Sequence, residues 1–229
     1  MTSKRSEFLA GVRTLMPLLL GVWPFGMIYG VLALESGLTA WQAQAMSALV
    51  FAGSSQIVLS QMLASQAPLA VIFVTIAIVN LRHVLYSASL APGLRTLGPG
   101  WKVLLAYLLT DEAYAVTVNR MNAAQSSPHR HWFLFGAGLA LWTAWQLSTL
   151  AGLALGSEIP PEWGLDFAIP LTFIALVVPA AHDRADWTAV IIAGIAAVAL
   201  YALPFKLALI AATLLGIVGG VWMTRRATR

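Results

Sequence analysis

The chain has 229 residues, 59% of them hydrophobic and only 10% charged, with a mean hydropathy of +0.81. A soluble domain is not that apolar, and at ~20 residues per crossing of a ~30 Å hydrocarbon core the length accommodates about seven or eight membrane helices and little else. With no cysteine and four histidines that lack ligand spacing, disulfides, thiolate chemistry and metal chemistry fall away. The net charge of +4 reflects Lys4, Arg5, Arg13, Arg225, Arg226 and Arg229, which flank the first and last apolar runs and mark membrane topology rather than nucleic-acid binding.

The first apolar run covers about 14–34 and is followed by a polar turn with Glu35 and Gly37. It is too long for a signal peptide and is expected to be a retained helix. Further runs fall at about 41–64, 69–90, 101–120, 132–156, 167–181, 187–204 and 205–223, the last two divided at Pro204, Phe205 and Lys206. The expectation is an all-α polytopic membrane protein, one permease domain over 1–229, with both termini on the cytoplasmic side of a bacterial inner membrane. Loop charge supports this where Arg120, His129, Arg130 and His131 fall inside and Glu158, Glu162 and Asp166 outside. Arg95 and Lys102 disagree, because eight plain crossings place them outside. One of the first three segments is therefore expected to be re-entrant or broken.

Several runs are interrupted. Trp23-Pro24-Phe25-Gly26 is expected to break the first helix, with a packing kink and a Gly26-x-x-x-Gly30 contact face as the alternative. Gly53-Ser54-Ser55-Gln56 spreads polar groups around most of a helix circumference and points to local unwinding. In the third run, Asn80 and His83 share one face and Arg82 and Tyr86 another. Arg82 needs a carboxylate, a substrate anion or a route to the interface. The fourth run supplies Asp111 and Glu112 among apolar neighbours. Paired acids at such depth are costly, suit a proton carrier, and equally suit a structural pair with Arg82. Trp142, Trp145 and Gln146 read as packing. His182, Asp183, Arg184 and Asp186 read as a charged turn, and Lys206 as an interfacial anchor.

Pro24-Phe25-Gly26, Ser47-x3-Phe51-Ala52-Gly53-Ser54-Ser55-Gln56, Asn80-Leu81-Arg82-His83 with Tyr86, and Asp111-Glu112 with Tyr114 together resemble the AzlC family, the large subunit of bacterial branched-chain amino-acid exporters. The resemblance covers most of the chain and loosens after about Gly156. It implies a permease that exports valine, leucine and isoleucine, with methionine a further candidate, beside a small AzlD-type membrane subunit and without a cofactor.

Broken helices and intramembrane charges independently suit a small-molecule carrier. On this reading the substrate carboxylate meets Arg82 or backbone N–H groups near Gly26 and Gly53, and Ser54, Ser55, Gln56, Asn80 and Tyr86 complete the binding site. Asp111, Glu112 and His83 would carry charge or protons. Phe25, Phe51, Tyr86 and Trp142 are candidates for the apolar wall. A passive channel or structural subunit is the rival, and an intramembrane enzyme lacks a nucleophile-base motif. The 17-residue spacing of Pro24 and Trp41 repeats at Pro170 and Trp187, a weak echo of an inverted repeat.

Overall fold

A computed structural model describes residues 3–122, 127–155, 177–178, 181, 183–203 and 207–227. The acidic loop with Glu158, Glu162 and Asp166, most of the sixth run, Pro170, His182 and the junction at 204–206 lie outside them. All regular structure among the described residues is helical.

The first run belongs to a rod built from α1 (Lys4–Leu15), a 3-10 turn (Met16–Leu18) and α2 (Leu19–Glu35). Ser3 opens it with a capping box to Ser6. Contrary to the expected break at Trp23-Pro24-Phe25-Gly26, α2 is continuous through Pro24. The irregular turn lies upstream, where Pro17 sits. Pro24 still withholds a donor from the Leu20 carbonyl, but the buried face carrying Val22, Phe25, Gly26, Tyr29, Gly30 and Ala33 packs along α8 (His131–Leu155), and that packing overrides the local cost.

The rod and α8 run parallel: Gly11 abuts Phe133 and Ala137, Gly26 abuts Ser148, and Gly30 abuts Thr149 and Gly152. A Cβ at Gly136 would approach the Phe8 carbonyl oxygen to 2.2 Å, and one at Gly152 would approach that of Met27 to 2.2 Å. Backbone cannot yield as a side chain can. Gly136→Ala and Gly152→Ala are expected to destabilise the protein by about 1–3 kcal/mol or more. Gly194→Ala, where a Cβ meets nothing within 4 Å, should be neutral; thermal unfolding midpoints in detergent check both.

The second and fourth runs are each broken in two. In the second, α3 (Ala40–Val50) and α4 (Gly53–Ala64) meet at Phe51, which is left-handed at φ 41°, and Ala52. In the fourth, α6 (Pro99–Tyr107) and α7 (Asp111–Asn122) meet at Leu108–Thr110. Between them runs α5 (Leu69–Leu94), long and apolar enough to cross a membrane, as are α8, the α1–α2 rod and the last helix.

The contacts fix the direction of each piece. The C-terminal end of α5 is tied to the start of α8, because Arg130 donates to the Gly93 carbonyl at 2.8 Å. The start of α8 lies beside the start of α1, since Phe8 packs on Phe135 and Lys4 sits over Trp132. These ends form one face, rich in Lys4, Arg5, Arg95, Lys102, Arg120 and Arg130. It follows that α5 begins on the opposite face, where α2 ends and α3 starts. The α3–α4 segment thus enters from the opposite face and returns to it. The α6–α7 segment does the same from the basic face: Trp101 packs on His131 and Trp132, Gly138 abuts Leu108 at mid-helix, and Met121 has returned to Gly93 and Arg130.

Two oppositely inserted re-entrant hairpins therefore flank a single crossing helix. This removes the disagreement of Arg95 and Lys102, which come to the basic face with the N-terminus. It also exceeds the expectation of one irregular segment among the first three runs. The α6–α7 hairpin is pinned at its base by Arg120, which donates to both carboxylate oxygens of the buried Glu7 at 2.9 and 3.3 Å.

The remaining pair, α9 (Arg184–Ala199) and α10 (Leu207–Ala227), is an antiparallel unit with Gly216, Gly219 and Gly220 set against α9. Asp183 and Asp186 form the capping box of α9, so the expected charged turn is a helix start. The pair leans on the rest of the chain through α5.

Candidate functional site

The hairpin tips meet at the middle of α8. Tyr107 at the end of α6 donates to the Ala48 carbonyl in the last turn of α3, its ring lies 5.9 Å from that of Phe51, and Trp142 Nε1 donates to its hydroxyl at 2.6 Å. Gln146 Nε2 donates to the Ser47 carbonyl at 3.2 Å. Carbonyls that α3 leaves unpaired at its end thus find side-chain donors inside the membrane, as they must. The left-handed Phe51 carries a strain of about 1–2 kcal/mol that such contacts hold in place.

Past each tip a helix begins with its positive end at the centre. Ala52 offers α4 no side-chain cap, so the N–H groups of Gly53, Ser54 and Ser55 present that end. Asp111 and Glu112 fill the first turn of α7, where their charge complements its dipole. Arg82 of α5 bridges the two: its guanidinium donates to the Ser54 hydroxyl and pairs with Asp111 at 3.0 Å. Tyr86 donates to the other Asp111 oxygen at 2.8 Å and stacks on Tyr114 at 4.4 Å. Two residues before Arg82 along α5, Asn80 Oδ1 accepts from the Ser55 hydroxyl at 2.6 Å.

The side chains of Arg82 and Asp111 are 22% and 17% exposed, so the pair is shielded but reachable. Beside it lies a cavity of about 20 Å³, lined by Gly53, Ser54, Arg82, His83, Asp111 and Glu112 with Phe25, Phe51, Thr110 and Trp145. That is room for a water molecule, not an amino acid. Phe25, Ser54 and Arg82 also line a much larger groove of about 640 Å³, whose other walls are aliphatic side chains of α4, α5 and α10, among them Ile57, Val58, Val79, Leu85 and Leu209.

Of the residues singled out in the sequence, Gly53, Ser54, Arg82, His83, Asp111 and Glu112 thus surround one cavity, Tyr86 is one hydrogen bond away through Asp111, and Ser55 and Asn80 bond to each other beside it. Gly26 is not among them. It lies inside an unbroken helix against Ser148, so the expected free N–H groups there are not found. Gln56 is fully buried and faces a separate groove between α4 and α5. Phe25 and Phe51 do line the cavity, whereas Trp142 serves the tip contact through Tyr107. Two further lining residues are not among the site candidates of the sequence, where Trp145 reads as packing. Trp145 closes the cavity behind Gly53, where a Cβ would meet its ring at 2.6 Å, and Thr110 ends the α6–α7 break. The signal for Trp145 was the absence of a side chain at Gly53, legible only once the two are seen to touch. Among the described residues no group of histidine and acidic side chains has the makings of a metal site.

Comparison with known proteins finds related membrane proteins along most of the chain. The AzlC protein family model matches residues 17–159, a span that holds both hairpins and every residue around the cavity. An uncharacterized membrane protein of Archaeoglobus fulgidus is 34% identical over 186 residues, 80% of each chain. Inner membrane protein YgaZ of Escherichia coli K12 is 25% identical over 87% of this chain and 84% of its own. The branched-chain amino acid transport protein AzlC of Bacillus subtilis is 27% identical over 77% of this chain and 70% of its own. No solved structure gives a significant match. With the family model covering the whole of its hairpin core, this membrane protein belongs to the AzlC family.

Proposed function

We propose that the chain is a secondary carrier that exports branched-chain amino acids, with the junction of the hairpin tips as its substrate site. The observation that carries this reading is the Arg82–Asp111 pair, held between two oppositely inserted hairpins and opening onto an aliphatic groove. An amino-acid zwitterion requires a cation, an anion and an apolar wall in one place. Its carboxylate would replace Asp111 on Arg82 and on the N–H groups of Gly53 and Ser54, by charge-assisted bonds and the α4 dipole. Its ammonium would then meet the released Asp111, with Glu112 behind it, and its side chain would lie along Phe25 and Ile57. Asn80, Ser55 and Tyr86 hold the pair in register.

The relative named a branched-chain amino acid transport protein supports this substrate class. Asp111 and Glu112, of which one gains a cationic partner whenever substrate binds, suit proton antiport, with His83 lining the same cavity. The basic face, by the positive-inside rule, is cytoplasmic together with the N-terminus. The whole chain acts as one permease domain in the inner membrane, beside a small AzlD-type subunit.

The test is counterflow of radiolabelled leucine in proteoliposomes, with and without that subunit and an imposed pH gradient. Saturable exchange of external label against internal leucine, faster with protons supplied from the far side, is expected. Non-saturating flux without counterflow identifies a channel, and failure of leucine, isoleucine and valine alike moves the site to another solute.

A further inference from the structure

Cations on the basic face are not all engaged in the same way. Arg120 is held by Glu7, Arg130 by the carbonyls of Gly93 and Met121, and Lys4 lies over Trp132. Arg95 and Lys102 are different. Both are exposed, and neither belongs to the ion pairs among the described residues, Arg82–Asp111 and Arg120–Glu7. They stand together at one end of a groove of about 350 Å³ between α5 and α6, floored by Leu90, Leu105, Leu109 and Leu134.

The groove has one chemistry at its mouth and another along its length. From Lys102 to Leu109 the wall descends about 10 Å at 1.5 Å per residue, into the ~15 Å half of a bilayer core. A pair of cations at the interface above such a slot fits an anionic headgroup whose acyl chain turns inward. A soluble anion would leave the leucines uncovered. A zwitterionic lipid would bring its own cation with its phosphate and leave the positive charge of Arg95 and Lys102 uncompensated.

We propose that the α5–α6 groove binds an anionic phospholipid, with its phosphate on Arg95 and Lys102 and an acyl chain along Leu105 and Leu109. Leu109 adjoins Thr110 at the tip of the α6–α7 hairpin, so the bound chain braces the outer side of that hairpin. This site is separate from the substrate junction and does not rest on the export reading.

The experiment is native mass spectrometry of the delipidated full chain in detergent, titrated with phosphatidylglycerol or phosphatidylcholine of identical acyl chains. Phosphatidylglycerol should bind at least about tenfold more tightly. Arg95→Gln with Lys102→Gln should lower its affinity about 30-fold, two contacts of ordinary strength at a membrane surface, and bring it to the phosphatidylcholine level. Ala106→Trp, which fills the slot from an exposed position, should weaken both lipids while leaving the unfolding midpoint unchanged. Equal affinity of the two lipids for the unaltered chain, or unchanged phosphatidylglycerol binding in the double variant, overturns the proposal. Displacement of the lipid by millimolar glycerol phosphate overturns it too, since that marks a headgroup-only anion site.

Discussion

Arg82→Gln is expected to lower leucine counterflow by about 30-fold or more. A charge-assisted contact to a substrate carboxylate in a shielded site is worth about 2–5 kcal/mol, and each 1.4 kcal/mol is tenfold. The same change leaves Asp111 without its cation in a membrane interior, where loss of one partner of a buried pair costs about 3–5 kcal/mol of stability. Asp111→Asn should act alike, stranding Arg82 instead. The double variant separates two roles of the pair. Neutral at both positions, Arg82→Gln with Asp111→Asn removes the stranded charge and should recover most of the lost stability, read as the unfolding midpoint in detergent. Transport should not recover. A pair that only held helices together would regain both, and single variants that export at the unaltered rate with unchanged pH dependence would place the site elsewhere.

The chemistry of this site was legible in the sequence, whereas its geometry was not. Asn80, Arg82, Asp111 and Glu112 stand out because a charge in an apolar run must be explained wherever it lies. Helical spacing also put Arg82 and Tyr86 on one face, and both reach Asp111. What hydropathy cannot reveal is direction. A run of about 24 apolar residues that crosses and one that turns at its middle and comes back expose the same side chains to lipid. The second run betrayed its turn through Gly53-Ser54-Ser55-Gln56, but the expected unwinding is not within those residues: they form the first turn of α4, and the break lies just before them at Phe51 and Ala52. The fourth run carried the same sign in Thr110-Asp111-Glu112, directly after Leu108 and Leu109, but acids at that depth have a chemical reading of their own and do not by themselves mark a turn. A second trace was indirect, in Arg95 and Lys102 lying on the wrong side of a simple count.

Pro24 misled for a related reason. Proline weighs against a helix locally, but α2 touches α8 through Gly26 and Gly30 over successive turns, the contact face that the Gly26-x-x-x-Gly30 spacing offered as the alternative.

Bridging the two hairpin tips is expected to stop transport completely and reversibly. The central cavity of about 20 Å³ holds water but not leucine, so on the proposed reading a substrate that reaches Arg82 from the aliphatic groove passes on only when the tips part. Because one hairpin is rooted in the basic face and the other in the opposite face, movement of either opens the junction toward a different side. On the proposed carrier reading, the inserted orientation supplies the two gates that alternating access needs. Tyr107 spans the gap, bonded to the Ala48 carbonyl and held by Trp142. The chain has no native cysteine, so Ala48→Cys with Tyr107→Cys introduces the only two thiols. A short bifunctional thiosulfonate, long enough to replace the Tyr107 ring, should abolish leucine counterflow in the double variant and release it on reduction. Each single variant treated with the same reagent should keep exchanging. If the bridged protein still transports, the tips are a fixed wall and the moving part lies elsewhere, with the α9–α10 pair beside the aliphatic groove as the next element to restrain.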